Sequence, residues 1–335
     1  MKTYPILISL MVLIFSGCGS SDPLDVDVSD IEAEVKINRF DRDLLDAYKK
    51  SDSEVIKLGE KYPEFFEMFN INLISVGPSS DSGYLVRLHD FMEYPMTKEA
   101  YKAISKIYYT DDYLETKLTD AFKHYKYYWP DKPIPEIYTY VSGFNLSAFT
   151  SGNMIGIGLD RYLGKDYEVY KSMGIPAFTI ANMHKDKIVP DAMQAIAYKE
   201  FPFNDSIDNL ISNMIYEGKI LYFVEAMMPD EPENLIIGYN EEQWEWINAS
   251  EDDMWSYLLD YKQLFITDMM TIKKYVGEGP FTINFSKESP GKAGVWIGWQ
   301  IVKSYMKNNE SVTLQDLMED DDYQSILQLS KYDPL

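Results

Sequence analysis

Cysteine and histidine are nearly absent from this chain. Its 335 residues include one cysteine, Cys18, and three histidines, His89, His124 and His184, which lie in unrelated segments. A lone cysteine cannot form a disulfide within the chain or share a thiolate metal site. Any metal would then need mostly carboxylate ligands, which suit magnesium or calcium better than zinc. We expect no metal and no other cofactor.

Several catalytic motifs are missing as well. The sequence has no G-x-S-x-G nucleophile motif and no Walker phosphate loop. The stretch "GIGLDRYLG" contains Gly156 and Gly158, but the third glycine of a dinucleotide-binding loop does not follow at the required spacing. Paired carboxylates are the one catalytic option that the composition leaves open.

The N-terminus reads as a targeting segment. "MKTYPILISLMVLIFSGC" has one lysine, an apolar run from Ile6 to Phe15, and small residues just before Cys18. Such a run is too short to span a bilayer as a mature helix. It predicts a lipoprotein signal peptide over residues 1–17 and acyl chains such as palmitate on Cys18, which would hold the protein on a lipid bilayer. The alternatives are a secretory signal with an incidental cysteine, or a short buried helix.

Charge and composition describe the mature chain. Acidic residues outnumber basic ones by 54 to 31, giving a net charge of −23, and such a surface repels nucleic acid and anionic lipid headgroups. We therefore expect no nucleic-acid partner. Residues 18–35 are acidic without a basic residue and are predicted to be a lipidated, solvated tether. No linker or repeat follows, so residues 36–335 are predicted to form a single globular domain.

The pattern of apolar residues predicts a mostly helical α+β fold. Helices are expected in two groups, before and after a short strand region. The segments "EIYTYVSGF" and "NMIGIGLDRYL" read as strands joined by a Gly/Ser/Asn turn, which indicates a β-hairpin or small sheet. Predicted helices cover residues 44–56, 62–69, 98–107, 112–127, 190–199, 205–228, 241–264 and 292–306, with a last helix capped by Thr313 and Asp316.

This order of elements is that of zincin-type metallopeptidases, whose first helix carries two histidines at i and i+4 around a glutamate. The corresponding segment here, "VPDAMQAIAYKEFP" (189–202), offers the pairs Asp191/Ala195, Gln194/Tyr198 and Ala195/Lys199. None of them can bind zinc. The next helix carries Glu217 on the rim of an apolar stripe, where it is at most the relic of a metal ligand.

Two further stretches have alternative interpretations. "NEEQWEWINASEDDMW" (240–255) combines carboxylates with three tryptophans, which is typical of sugar-binding sites, but its helical spacing favours a core stripe with an acidic solvent face. Gly294 and Gly298 lie four residues apart on a later helix. We interpret them as permitting close approach to a neighbouring helix, with Gly218 as the expected counterpart.

The chain resembles the GldB family of gliding-motility-associated lipoproteins. The resemblance rests on the ordered blocks "GIGLDRYLGKDYEVYKSMGIP", "IVPDAMQAIAYKEFP", "NMIYEGKILYFVEAMMPD", "YNEEQWEWI" and "ESPGKAGVWIGWQIVKSYM". It implies a zincin-like domain that lacks the zinc-binding residues. It also implies a role in the envelope machinery for gliding and its associated secretion system, with other gliding-motility envelope proteins as partners. The family supplies no catalytic residue; the position that matches is the lipid-bearing Cys18.

We therefore expect a non-enzymatic lipoprotein of the cell envelope, lipid-anchored, with its globular domain outside the cytoplasm in the periplasm. Asp160, Asp191 and Glu217 are the candidates for residues that line the former active-site cleft, because each is an acid within or beside an apolar segment. Two alternatives stay open. One is a carboxylate-based hydrolase, and the other is a ligand-binding lipoprotein, either of them acting on cell-wall material.

Overall fold

Residues 23–335 are the part of the chain that the computed structural model describes, and within them helices predominate over one small sheet. The predicted signal peptide and Cys18 lie outside the described residues. The prediction of a mostly helical α+β protein is confirmed. The helices of the first half are α1 (Phe40–Lys50), α2 (Asp52–Lys61), α3 (Pro63–Met68), α4 (Tyr84–Glu93), α5 (Pro95–Ile107) and α6 (Asp112–Tyr128).

The second half of the chain continues with shorter helices around two long ones. They are α7 (Glu168–Ser172), α8 (Ala177–Ile180), α9 (Ile188–Glu200), α10 (Leu210–Met227), α11 (Glu233–Ile237), α12 (Glu241–Ala249), α13 (Glu251–Asp260), α14 (Met269–Val276), α15 (Ala293–Asn308), α16 (Leu314–Glu319) and α17 (Tyr323–Ser330).

Two of the predicted helices are each divided in two. The predicted helix 44–56 breaks at Ser51, whose extended backbone ends α1 and whose hydroxyl accepts a hydrogen bond from the Glu54 amide at the start of α2. The predicted helix 241–264 breaks at Ser250 between α12 and α13. Serine competes for local backbone hydrogen bonds, so it favours helix ends over helix interiors. The predicted capping box of Thr313 and Asp316 is confirmed.

The sheet contains β1 (Ile37–Asn38), β2 (Glu136–Tyr140), β3 (Ala148–Ser151) and β4 (Met154–Gly158), in the order β1-β2-β4-β3. The predicted hairpin between the second and fourth of these strands is wrong, because β2 pairs with β4 in parallel. The hairpin partner of β4 is β3, which the sequence analysis did not recognise. Parallel pairing suits β2 because four of its five residues are buried. A strand with one solvated face would instead show buried and exposed residues in alternation.

Helix α10 lies at the centre of the helical half. Fifteen of its 18 residues are buried, so the prediction of a one-sided apolar stripe is wrong and this helix packs on nearly all sides. The three residues that are less buried, Asn213, Glu217 and Glu225, follow each other at intervals of four or eight. They fall within an arc of about 120° around the helix axis, at about 100° per residue.

The described part of the acidic N-terminal segment lies against the domain. Leu24, Ala33 and Val35 are buried in the same apolar cluster as the rest of the core, while the acidic residues between them face solvent. Residues 23–35 thus differ from a solvated tether. Alternating apolar and acidic residues explain the difference, because one side of an extended segment can be buried while the other stays hydrated.

Candidate functional site

Glu217 reaches from α10 towards α9 and meets a tyrosine there. The Tyr198 hydroxyl donates a hydrogen bond to Glu217 Oε2 over 2.5 Å. Burial raises the pKa of the Glu217 carboxyl above its ordinary value, while the Tyr198 hydrogen bond and the charge of Lys292 act in the opposite direction. This carboxyl is therefore bound to a neutral partner in a partly desolvated position.

In the sequence, Tyr198 is the second member of the pair Gln194/Tyr198, which cannot bind zinc. Its spacing from Gln194 places both side chains on one face of α9. The hydrogen bond shows that this face is turned towards Glu217. The spacing places Tyr198 on this face, but the contact with Glu217 depends on how α9 packs against α10.

Asp191 lies one helical turn before Gln194 and is held by two side chains. The Tyr162 hydroxyl donates to Asp191 Oδ2 over 2.8 Å, and Lys187 Nζ lies 3.3 Å from Asp191 Oδ1. Lys187 also donates to the carbonyl oxygens of Leu235 and Ile236, which fixes the start of α9 against α11. Burial lowers the pKa of the Lys187 ammonium, and the charge of Asp191 opposes that shift.

Asp160 is fully buried, and its carboxylate binds backbone amides in the turn after β2. Its Oδ2 accepts hydrogen bonds from the Ser142 amide at 3.0 Å and the Phe144 amide at 2.6 Å. Phe144 has a φ of 70° in the left-handed region, so these two bonds hold a backbone conformation that phenylalanine rarely adopts. Burial raises the pKa of Asp160 to about 6, and the two amides oppose the shift. Only Oδ2 holds the turn in this way, because the buried Oδ1 has no hydrogen-bond partner among the described residues.

A cleft of about 300 Å³ is lined by some of the charged side chains described above. Asp191 and Lys187 line it, whereas Asp160 does not; its neighbour Arg161 does. Glu217 is not part of the lining, although it interacts electrostatically with Lys292 and Glu278, which are. The full set of lining residues comprises polar, charged and apolar side chains: Ser147, Arg161, Phe178, Thr179, Asn182, Met183, Lys187, Asp191, Gln194, Ile236, Ile237, Glu278 and Lys292.

The loop between α14 and α15 closes one side of this cleft. Lys292 at the end of the loop binds Glu278 near its start, with 2.7 Å between Nζ and Oε1. Gly291 lies so close to Gly279 that a β-carbon on it would fall 2.1 Å from the Gly279 carbonyl oxygen. Because only glycine permits this approach, the two ends of the loop stay together and Lys292 and Glu278 face the cleft as a pair.

The histidines have separate local partners. His89 lies 2.7 Å from Asp52, His124 lies 3.0 Å from the Asp120 carbonyl oxygen, and His184 lies 3.4 Å from Asp186. Within residues 23–335, no group of three histidine, cysteine or acidic side chains is arranged to hold a metal ion. Operation of the protein without a metal stays a prediction.

The tryptophan-rich stretch at 240–255 packs as the core interpretation predicted. Trp255, Met254 and Ile247 are buried, while Glu241 and Glu242 face solvent. Trp244 and Trp246 are half-buried, and Glu251 is held by the Tyr332 hydroxyl, so the stretch packs mainly as a core stripe with an acidic solvent face.

No helix among the described residues has the length and apolar character needed to cross a bilayer. The fold and site define the class: a mostly helical α+β protein whose cleft carboxylates are bound by tyrosine and lysine side chains. A family model described as gliding motility protein GldB, and labelled as a lipoprotein family, matches residues 21–334. The chain belongs to the GldB family. No curated protein and no solved structure matches it.

Proposed function

We propose that this protein is a non-catalytic, lipid-anchored component of the envelope machinery for gliding and its associated secretion system. The gliding role follows from membership of the family. The observation that supports a non-catalytic role is the Tyr198–Glu217 hydrogen bond at 2.5 Å, together with the Tyr162 and Lys187 contacts to Asp191. A general acid or base needs a proton path to a substrate, whereas Glu217 Oε2 and Asp191 Oδ2 each already accept a hydrogen bond from a tyrosine of the protein itself.

Lipid attachment at Cys18 and a periplasmic position of the domain are part of the same proposal. The lipoprotein label of the family and the signal-peptide pattern before Cys18 support it. The protein would act by contact with other gliding-motility envelope proteins. Hydrolysis of cell-wall material is the alternative that the experiment must exclude.

The test is Glu217→Gln in a gliding host, with Tyr198→Phe as its matched control. Glutamine keeps the shape of the side chain and an oxygen that accepts the Tyr198 hydroxyl, so protein abundance should hold. Colony spreading is expected to be unchanged in both variants. Loss of spreading by Glu217→Gln at normal abundance on immunoblots, with Tyr198→Phe still spreading, would make the carboxylate functional and overturn the non-catalytic proposal.

Asp191→Asn is unsuited to the same test. It removes the partner of the buried Lys187 ammonium, and an uncompensated buried charge is strongly destabilising. Loss of spreading in the Asp191→Asn variant would therefore reflect lower protein abundance and would not test the role of the carboxylate.

A further inference from the structure

Arg161 differs from the other arginines of this protein. Three of the four arginines in the sequence, Arg39, Arg42 and Arg87, form ion pairs with aspartates at 2.7 to 3.1 Å. Arg161 has no carboxylate within ion-pair distance among the described residues, although the chain carries 54 acidic residues. It lies half-buried in the lining of the cleft. The charge of Arg161 interacts with the adjacent buried Asp160, but no carboxylate bonds directly to its guanidinium, which leaves N–H donors for a ligand.

The position of the Arg161 guanidinium is fixed by neutral groups. Its Nε donates to Ser147 Oγ at 3.2 Å and its Nη1 to the Phe144 carbonyl oxygen at 3.3 Å. The adjacent Asp160 is engaged by backbone amides, as described above. Arg161 stands directly after β4, at the carboxyl end of the parallel strands, which is where open sheets with parallel strands commonly bind ligands.

The other charges in the lining of the cleft are already paired. Lys187 lies against Asp191, and Lys292 binds Glu278. Within the described part of the chain, Arg161 is therefore the one charged side chain of this lining that forms no ion pair. The lining carries three cations, Arg161, Lys187 and Lys292, against two carboxylates, so its net charge of +1 suits a ligand with a single negative charge.

We propose that this cleft binds a carboxylate ligand and that Arg161 is the residue that receives the carboxylate. A guanidinium presents parallel N–H groups that match the two oxygens of a carboxylate. Phe178, Met183 and Ile236 supply apolar walls within a volume of about 300 Å³. These dimensions fit a small apolar group attached to the carboxylate, either the last residue of a peptide or a free organic acid. The inference goes beyond the proposed function and does not depend on it.

The first test is arginine labelling of the full-length lipoprotein in detergent micelles. Phenylglyoxal modifies free guanidinium groups, and mass spectrometry separates the four arginine-containing segments. N-acetyl-trialanine, its C-terminal amide and N-acetylalanine are the probes. We expect N-acetyl-trialanine to slow the labelling of Arg161 and the amide to have no effect, with the labelling of Arg87 unchanged as the internal control.

The outcomes separate the sources of the carboxylate. Protection by N-acetylalanine as well as by the tripeptide supports a site for small organic acids, and protection by the tripeptide alone supports a site for peptide ends. Equal protection by the amide, or no protection of Arg161 by any probe, overturns the proposal.

A pair of variants provides the second test. Arg161→Gln should weaken calorimetric binding of the protective probe by about ten- to a hundredfold, the usual effect of losing a charged hydrogen-bond donor. Arg161→Lys keeps the positive charge but loses the two parallel N–H donors, so it should bind with intermediate affinity. It remains informative if the Arg161→Gln protein does not fold. Arg87→Gln is the matched control and should bind as the unmodified protein does. Unchanged binding by both Arg161 variants would overturn the assignment.

Discussion

Gly218 of α10 lies against Gly298 of α15 so closely that a β-carbon on Gly218 would fall 2.3 Å from the Gly298 carbonyl carbon. In the reverse direction, a β-carbon on Gly298 would fall 1.7 Å from the Met214 carbonyl oxygen. The two central helices thus touch backbone to backbone. The predicted role of Gly218 as the counterpart of a glycine on the later helix is confirmed for Gly298, whereas Gly294 approaches Tyr275 of α14 instead.

Gly218→Leu should therefore lower the abundance of the protein and abolish gliding through that loss. Overpacking costs roughly 1–3 kcal/mol in ordinary cores, and more is expected here because backbone atoms, which cannot rotate away, occupy the space. Immunoblots and colony spreading measure both effects. Gly59→Ala on α2 is the control, since its β-carbon would meet only the Phe66 ring at 3.2 Å. Normal levels of the Gly218→Leu protein would contradict the close contact.

The pH dependence of the free energy of unfolding should reveal the raised pKa of the Asp160 carboxyl. Its folded-state pKa of about 6 lies above the ordinary aspartate value, so the folded protein binds a proton at this site more tightly than the unfolded chain does. The stability contributed by the protonated form is present below about pH 4 and is lost as the pH rises towards 6. Asp160→Asn has no such titration, so it should gain stability relative to the natural protein over this interval.

Urea unfolding of both proteins at several pH values between about 4 and 7 measures this difference. The full shift corresponds to about 3 kcal/mol. Comparing the two proteins at each pH cancels the contributions of the other carboxylates, because they are shared. A difference that stays constant across the interval would show that Asp160 is ionised throughout.

Cys18→Ser should abolish attachment of lipid and leave the signal peptide uncleaved at that site. Cysteine supplies the thiol to which the lipid is joined, and a serine hydroxyl does not replace it. Metabolic labelling with a fatty acid, followed by immunoprecipitation, is the measurement. Label retained on the Cys18→Ser protein would overturn the lipoprotein prediction.

Removal of metal should leave the protein unchanged. The purified mature protein is expected to contain no stoichiometric zinc, and a chelator should not alter its melting temperature, because the helix that precedes Glu217 offers Gln194 and Tyr198 where zinc sites need histidines. Elemental analysis gives the metal content. About one zinc per chain would revive the peptidase hypothesis.

The sequence predicted helices better than it predicted pairing. Apolar periodicity located α6 and α9 because it is a local property of neighbouring residues. The partners of β4 could not be derived in the same way, since the parallel register of Ile137 with Ile155 depends on contacts distant in the chain. β3 was missed because all four of its residues are half-buried and show no alternation.

The candidate site was likewise only partly predictable from the sequence. Acids in apolar segments were identifiable as candidates for groups with partners, and Asp160, Asp191 and Glu217 all have specific partners in the structure, although only Asp160 is fully buried. Their partners were not identifiable, because Tyr162, Tyr198 and Lys187 become neighbours only when the helices pack. Arg161 was overlooked because its distinction is that it forms no ion pair with a carboxylate, a property that exists only in three dimensions.

The parallel pairing of β1 with β2 sets the order in which this protein can fold. Ile37 pairs with Ile137, and the Thr139 hydroxyl donates to Asp41 Oδ1 over 2.5 Å, so the first strand finds its partner a hundred residues later. A chain that emerges N-terminus first exposes α1 to α6 before any sheet exists to receive them. Non-local pairing of this kind is slow to form. The N-terminal helices can therefore complete their packing only after the middle of the chain has been made. Until then their apolar faces are exposed, and the chain is most prone to aggregation.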